Sequence, residues 1–208
     1  MFYFVKTPWL LKKIYPHGIW DLPSTESNKV YLSFDDGPHP SITPFVLEQL
    51  KLFNAKATFF CIGKNVQEHP ATYHEILAQG HCVGNHTQNH LNGWKTDNQH
   101  YLTNIKEASK YIDSNLFRPP YGRIRKEQAS LIHTAFPAMK IIMWNILSAD
   151  FDTTIDDKKC TDNVLSNTTN GSIIVFHDSE KAFPRLKNSL PVVLRELSEK
   201  GFQFEVIR

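Results

Sequence analysis

No stretch of the 208-residue chain holds the ~18 consecutive apolar residues that a membrane-spanning helix needs, so none of it reads as a transmembrane segment. An excess of either charge is also missing. Lys and Arg total 23 against 21 Asp and Glu, and the net charge of +2 comes without a dense basic patch, which argues against a nucleic-acid partner. Cysteine is scarce: Cys61, Cys82 and Cys160, an odd number without metal-type spacing, read as reduced thiols. Cys61 and Cys82 fall in apolar, strand-like runs where a small buried hydrophobe is expected. The stretch Met1 to Pro8 has no basic n-region and only a four-residue apolar run, unlike a secretory leader. These features point to a cytoplasmic protein, the alternative being an exported one whose leader lies outside this sequence. Internal repeats and low-complexity linkers are absent too, and a hydrophobic content of 41% suits one full-sized core.

What the chain does have, from about residue 29 onward, is one repeated pattern of a short apolar run, a turn and a helix of 3.6-residue period. Strands are expected over 30–34, 57–62, 81–84, 116–118, 140–144, 172–176 and 202–206. Helices are expected from Thr43-Pro44, with Val46, Leu47, Leu50 and Phe53 as a buried stripe, and over 71–79, 98–114, 126–135, 156–166 and 185–200. Such alternation implies a parallel sheet with helical crossovers. Seven units leave an open doubly wound sheet or a barrel one unit short of eight. Residues 29–208 then form a single domain, and 1–28 stand outside it as an N-terminal extension packed on its surface. In the extension, Pro8 to Ile14 reads as a short helix capped by Thr7, with Trp9, Leu10 and Ile14 packed inward. An interfacial membrane helix is the sharper alternative, weakened by two lysines and a length of only one or two turns.

Reactive residue types gather just after the expected strands. Asp35-Asp36-Gly37-Pro38 follows the first and His86-Thr87-Gln88-Asn89-His90 the third. Arg118-Pro119-Pro120-Tyr121 ends the fourth, Asp150 lies a few residues past the fifth, and His177-Asp178 ends the sixth. Each alone has a plain structural reading: a solvated Asp-Asp-Gly turn, two surface imidazoles, a rigid Pro-Pro turn, a histidine satisfied by core hydrogen bonds. Together they do not, because the C-terminal strand ends of a parallel barrel share one face and nothing in folding requires all five clusters there. Two imidazoles and a carboxylate suit a catalytic divalent ion. A second carboxylate can take a proton from water, a backbone N–H can hold an oxyanion, and a histidine opposite can protonate a departing amine. Those parts describe amide or ester hydrolysis.

In order and spacing, Ser33 to Pro38, His86-Thr87 with His90, Arg118 to Tyr121, Trp144 to Phe151 and Val175-Phe176-His177 resemble the five motifs of the NodB-homology polysaccharide deacetylases, carbohydrate esterase family 4, over about residues 29–207. The resemblance implies a distorted (β/α)7 barrel, TIM-barrel-like, and a carbohydrate substrate. It implies that Asp36, His86 and His90 hold Zn2+ or another divalent ion such as Co2+. Asp35 takes the place of the catalytic base, oriented by Arg118, and His177 that of the acid, oriented by Asp150. The backbone N–H of Tyr121 falls at the oxyanion position, while Phe151, Val175 and Pro120 fall around the acetyl pocket.

Two departures stand out. The fourth motif, usually Asp-x-x-Asp-Trp, reads Leu147-Ser148-Ala149-Asp150-Phe151, and Val175 stands where Leu is usual. A roomier pocket is expected. Removal of N-acetyl groups from an N-acetylglucosamine polymer or oligomer, chitooligosaccharide or peptidoglycan-like, is the activity implied. The alternatives are an O-acetyl esterase acting on acetylated xylan, an inactive sugar-binding barrel, and an amidase acting on a non-sugar amide. The remaining histidines (His17, His39, His69, His74, His81, His100, His133) are expected on the surface or on helices.

Overall fold

In a computed structural model, which describes residues 3–23, 25 and 28–208, the β-rich runs become the staves of one curled parallel sheet. The strands are β1 (Gly18–Ile19), β2 (Lys29–Asp35), β3 (Ala57–Cys61), β4 (Cys82–Asn85), β5 (Leu116–Phe117), β6 (Lys140–Ile142), β7 (Ile146–Leu147), β8 (Ile173–His177) and β9 (Gln203–Phe204). Their spatial order is β1-β6-β5-β4-β3-β2-β8-β7, with β9 beside the start of β2. Every one of these pairings is parallel. The helices are α1 (Trp9–Ile14), α2 (Ile42–Leu52), α3 (Gly63–Glu68), α4 (Pro70–Ala78), α5 (Asn98–Ala108), α6 (Lys126–Ala135), α7 (Asp157–Leu165) and α8 (Phe183–Glu199). This is the distorted (β/α)7 barrel, and the open doubly wound alternative falls away.

Strand alternation divides the sheet into two faces. On β2, Leu32 and Phe34 join the helix-side core with Val46, Leu47 and Leu50 of α2 and Leu190, Val193 and Leu194 of α8. The Phe34 ring stacks on Phe59 and Phe176 at centroid distances of 5.1 and 6.1 Å, tying the three central strands together. Each such fully buried side chain contributes ~1.5–3 kcal/mol. Ser33 and Asp35, on the opposite face of β2, meet the buried Arg118 instead. The same period that builds the core therefore aims the polar residues into the barrel.

Several expected elements differ. The stretch 140–144 is broken: β6 ends at Ile142, and β7 forms beyond Asn145, whose side-chain oxygen accepts from the N–H of Ile173 at 2.9 Å. β9 is no barrel stave, since among the described strands it pairs only with the start of β2, at Lys29 and Val30. The N-terminal stretch contributes a strand and two isolated bridges of its own. β1 pairs with β6, while Lys6 bridges Ile146, and the N–H groups of Thr7 and Leu147 donate to the carbonyls of Asn145 and Val5 at 2.9 and 2.8 Å. Residues 5–22 thus touch both ends of the strand order.

The short helix is present, but its expected environment is not. Pro8 is its N-cap, and the Thr7 hydroxyl donates to the Trp144 carbonyl at 2.8 Å rather than capping. No residue of α1 is buried; Trp9 is 66%, Leu10 55% and Ile14 42% exposed. Lys12 pairs with Asp21 and fixes the other flank of α1 to the start of the barrel, leaving this face outward. His81 also departs from expectation: it is buried, with Nδ1 accepting the Ala57 N–H at 3.2 Å, and burial drives its pKa down to about 4. Among the thiols, Cys61 and Cys160 are buried and Cys82 only partly so.

Candidate active site and metal centre

All five sequence clusters meet at the C-terminal rim of the sheet. β2 ends in Asp35, β4 leads into His86, β5 into Arg118, and β8 ends in His177. Ligand atoms of Asp36, His86 and His90 lie within 4.8 Å of one another. His90 Nε2 is 3.1 Å and His86 Nε2 3.8 Å from Asp36 Oδ1.

Protonation states suit these residues to a cation. The Nδ1–H of His86 donates to the Arg118 carbonyl at 2.7 Å, which turns Nε2 toward Asp36. Burial, only partly offset by the aspartates, lowers His86 to about 4, so the ring is neutral and ligand-competent at neutral pH. Burial works against the Asp36 charge, but the hydrogen bond from His90 and the charge of His177 hold it well below the usual carboxylate range. An ionised carboxylate with two imidazole donors fits a divalent ion with positions left for water and substrate.

The two aspartates, adjacent in sequence, have different partners. Asp35 is buried and its Oδ1 accepts from Arg118 Nη1 at 2.7 Å. Arg118 also donates to Ser33 Oγ and to the Ile142 and Met143 carbonyls, and its guanidinium carbon lies 4.0 Å from the Phe60 ring centroid. A guanidinium fixed on so many sides cannot follow Asp36, so the pair is split by geometry. Asp36 takes φ 81°, and Thr87, His90 and Tyr121 also have positive φ, at 65°, 54° and 61°. Such backbone costs ~1–3 kcal/mol at each position. Local hydrogen bonds hold it: Asn65 Nδ2 donates to the Asp36 carbonyl, and the Thr87 N–H donates to Asn85 Oδ1.

His177 has a carboxylate behind it. Asp150, fully buried, accepts from His177 Nδ1–H through Oδ1 and from its backbone N–H through Oδ2, both at 2.7 Å. Burial would lower the imidazolium, but the charge and hydrogen bond of Asp150, then the charges of Asp36 and Asp35, outweigh it and raise the pKa to about 10. The protonated form therefore persists across neutral pH and is lost only as the pH rises through about 10. Asp150→Asn removes the leading charge, and NMR titration of the metal-free protein is expected to find His177 moved down toward the ordinary 6.5. A His177 that titrates unchanged in the variant would show that Asp150 does not set its charge.

Phe151 stands edge-on to His177 at 5.3 Å and Val175 is buried, and both line a groove that runs up to the metal ligands. Leu147 and Trp144 line it as well, and the exposed Tyr121 lays its ring 4.5 Å from His90. Pro120 is buried outside that lining, because the turn it starts presents Tyr121 and Gly122 instead. Asp178 is a residue to which sequence reasoning gave no role. Its carboxyl accepts from the Gly37 N–H at 3.0 Å and from the Thr43 hydroxyl, anchoring the turn after Asp36. Burial, reinforced by the Asp36 charge, pushes it up to about 8. A Cβ on Gly37 would come within 2.1 Å of that carboxylate, which explains the glycine. The available signal was its place directly after a strand-end histidine.

A rim that divides base and acid between two flanking groups around a cation-binding trio is that of a hydrolase. The family described as polysaccharide deacetylase matches residues 23–135, and the chain belongs to that family, the NodB-homology group of carbohydrate esterases. A peptidoglycan-N-acetylglucosamine deacetylase of Bacillus cereus is 31% identical over 207 residues, 95% of each chain. A chitooligosaccharide deacetylase of Azorhizobium caulinodans is 31% identical over 158 residues, 73% of this chain and 74% of its own. Among solved structures, a peptidoglycan N-acetylglucosamine deacetylase in complex with 4-naphthalen-1-yl-N-oxidanyl-benzamide superposes with a TM-score of 0.86 at 28% identity, covering 97% of this chain and 95% of its own.

Proposed function

We propose that the protein hydrolyses the N-acetyl group of N-acetylglucosamine units in a peptidoglycan-like or chitooligosaccharide substrate, with Zn2+ held by Asp36, His86 and His90. The observation that carries this reading is the split aspartate pair: one carboxylate within the imidazole cluster, the other tied to Arg118. The relatives' substrates supply the sugar, and the hydroxamic acid bound by one relative, a cation-chelating group, accords with a metal site. A bound ion would acidify water and polarise the acetyl carbonyl. Asp35 would take a proton from the attacking water as its oxygen adds to the acetyl carbon, and Arg118 holds the carboxylate in line. The Tyr121 backbone N–H stabilises the oxyanion. As the C–N bond breaks, His177 gives its proton to the nitrogen, leaving a free amine and acetate. A sugar-binding barrel without activity would have no use for this division of base and acid.

The deciding experiment measures acetate released from peptidoglycan fragments, chitooligosaccharides and acetylated xylan, with and without added zinc. Zinc-dependent release from the N-acetylated substrates is expected. Release from acetylxylan alone would replace the amidase reading with the esterase.

Phe151 and Val175, each smaller than the usual residue, leave extra room at the acyl methyl. A methylene-sized difference is worth ~1–3 kcal/mol of discrimination. Phe151→Trp is therefore expected to raise the acetyl over propionyl preference roughly 10–200-fold, measured as kcat/KM on matched chitooligosaccharides. An unchanged ratio would remove Phe151 from the acyl pocket.

A further inference from the structure

Building on the deacetylase reading, we infer that the physiological substrate is an N-acetylated sugar joined through an anionic phosphate to a lipid chain, taken from a membrane surface on which α1 rests. The groove at the metal ligands is larger than one sugar ring requires. It encloses about 910 Å3, near the top of the ~300–1,000 Å3 usual for small-molecule sites. Its lining also includes Leu11 and Tyr15 of the N-terminal segment together with Ile124, Ile141 and Met143, apolar side chains that belong to one core cluster. Apolar side chains of this kind suit a hydrocarbon chain.

Charge is distributed to match. Among the described residues, no acidic residue apart from Asp35 and Asp36 lines this groove, whereas Lys13, Arg123, Lys126 and Lys181 do. None of the four forms an ion pair among the described residues. In a chain of net charge +2, that concentration favours an anionic ligand.

The groove opens beside the exposed face of α1. Lys13 and Ile14 belong to both, and Trp9 and Leu10 extend the same face outward with Phe4 (47% exposed) nearby in the chain. Lys13 Nζ lies 4.5 Å from the Trp9 ring centroid, so cation and aromatic share one surface. Aromatic and aliphatic side chains beside lysines form an interfacial membrane contact, here continuous with the catalytic groove.

The test uses zinc-loaded full-length protein. Flotation with vesicles of phosphatidylglycerol and phosphatidylcholine is compared with vesicles of phosphatidylcholine alone. Deacetylation is measured on N-acetylglucosaminyl phosphate esters of a long-chain and of a two-carbon alcohol, and on soluble chitooligosaccharide. Flotation with the anionic vesicles is expected, together with kcat/KM at least about tenfold higher for the long-chain ester, a small part of what a buried chain offers. Trp9→Gln combined with Leu10→Gln, on a helix with no buried residue, is expected to abolish flotation and leave chitooligosaccharide turnover unchanged. Lys126→Glu is expected to lower kcat/KM on both phosphate esters about tenfold. Turnover of chitooligosaccharide without flotation or chain-length preference overturns this inference alone. Absence of turnover on every N-acetyl sugar overturns the activity on which it rests.

Discussion

Asp35→Asn is expected to keep its ion and lose most of its rate. Asn preserves the shape and can still accept from Arg118 Nη1, the 2.7 Å contact that anchors Asp35 in the barrel. It cannot take a proton from water, and removal of a general base costs on the order of 10²–10⁴-fold. The expected result is therefore a fall of that size in kcat, with metal content unchanged by elemental analysis, since Asp36 carries the carboxylate nearest His86 and His90. Stability is expected to change as well, because the buried Arg118 loses its only carboxylate partner among the described residues. Reading kcat well below the melting temperature of the variant separates the two effects. Near-normal turnover with metal bound would reverse the assignment of the paired aspartates.

The second large effect is expected from the imidazoles. His90 is partly exposed and its ring contacts are with His86 and Tyr121, so His90→Ala removes a ligand with little damage to the core. Metal affinity is expected to fall by more than the ~10–100-fold that follows from losing a mere outer partner of a metal ligand, and turnover to fall with it. His86→Ala carries a further cost. Its Nδ1–H is the donor to the Arg118 carbonyl, and a buried acceptor left unmatched costs ~1–3 kcal/mol. Metal content after exhaustive dialysis, acetate release and thermal unfolding are the readouts. Full activity in chelator-stripped protein would end the metal assignment for both residues.

The barrel and its rim were legible because they rest on periodic signals. The alternation Leu32, Phe34 against Ser33, Asp35 predicts one buried and one inward polar face, and β2 has both. Helix α6 falls on the expected residues 126–135, where period and flanking turns agree. What escaped was short or set by distant partners. Two-residue strands such as β1 and β7 carry no period; they form because β6 and β8 offer free ladder positions. Helix α3, six residues in Gly63–Glu68, follows a strand with only Val66 as an apolar side chain on its buried face. For α1 the hydrophobic residues were visible but not their direction, which the Lys12–Asp21 pair helps set. Within the site, the residue types and spacing of Asp36, His86 and His90 indicated a cation, whereas the Asp178 anchor depends on a turn 141 residues away in sequence.

The segment that touches both ends of the sheet has a consequence for the order in which the molecule is made. Lys6 meets Ile146, Gly18 meets Ile141 and Asp21 meets Ser172, so these residues find their partners only after the strands and helices between them have been made. β2 likewise waits for β8. Long-range parallel pairing is slow, and open strand edges adhere to other chains while it is pending. The nascent protein therefore passes through a stage in which β2 and β3 can pair but one flank of β2 has no neighbour. Completion of β8 covers that flank and brings Ser172 to Asp21.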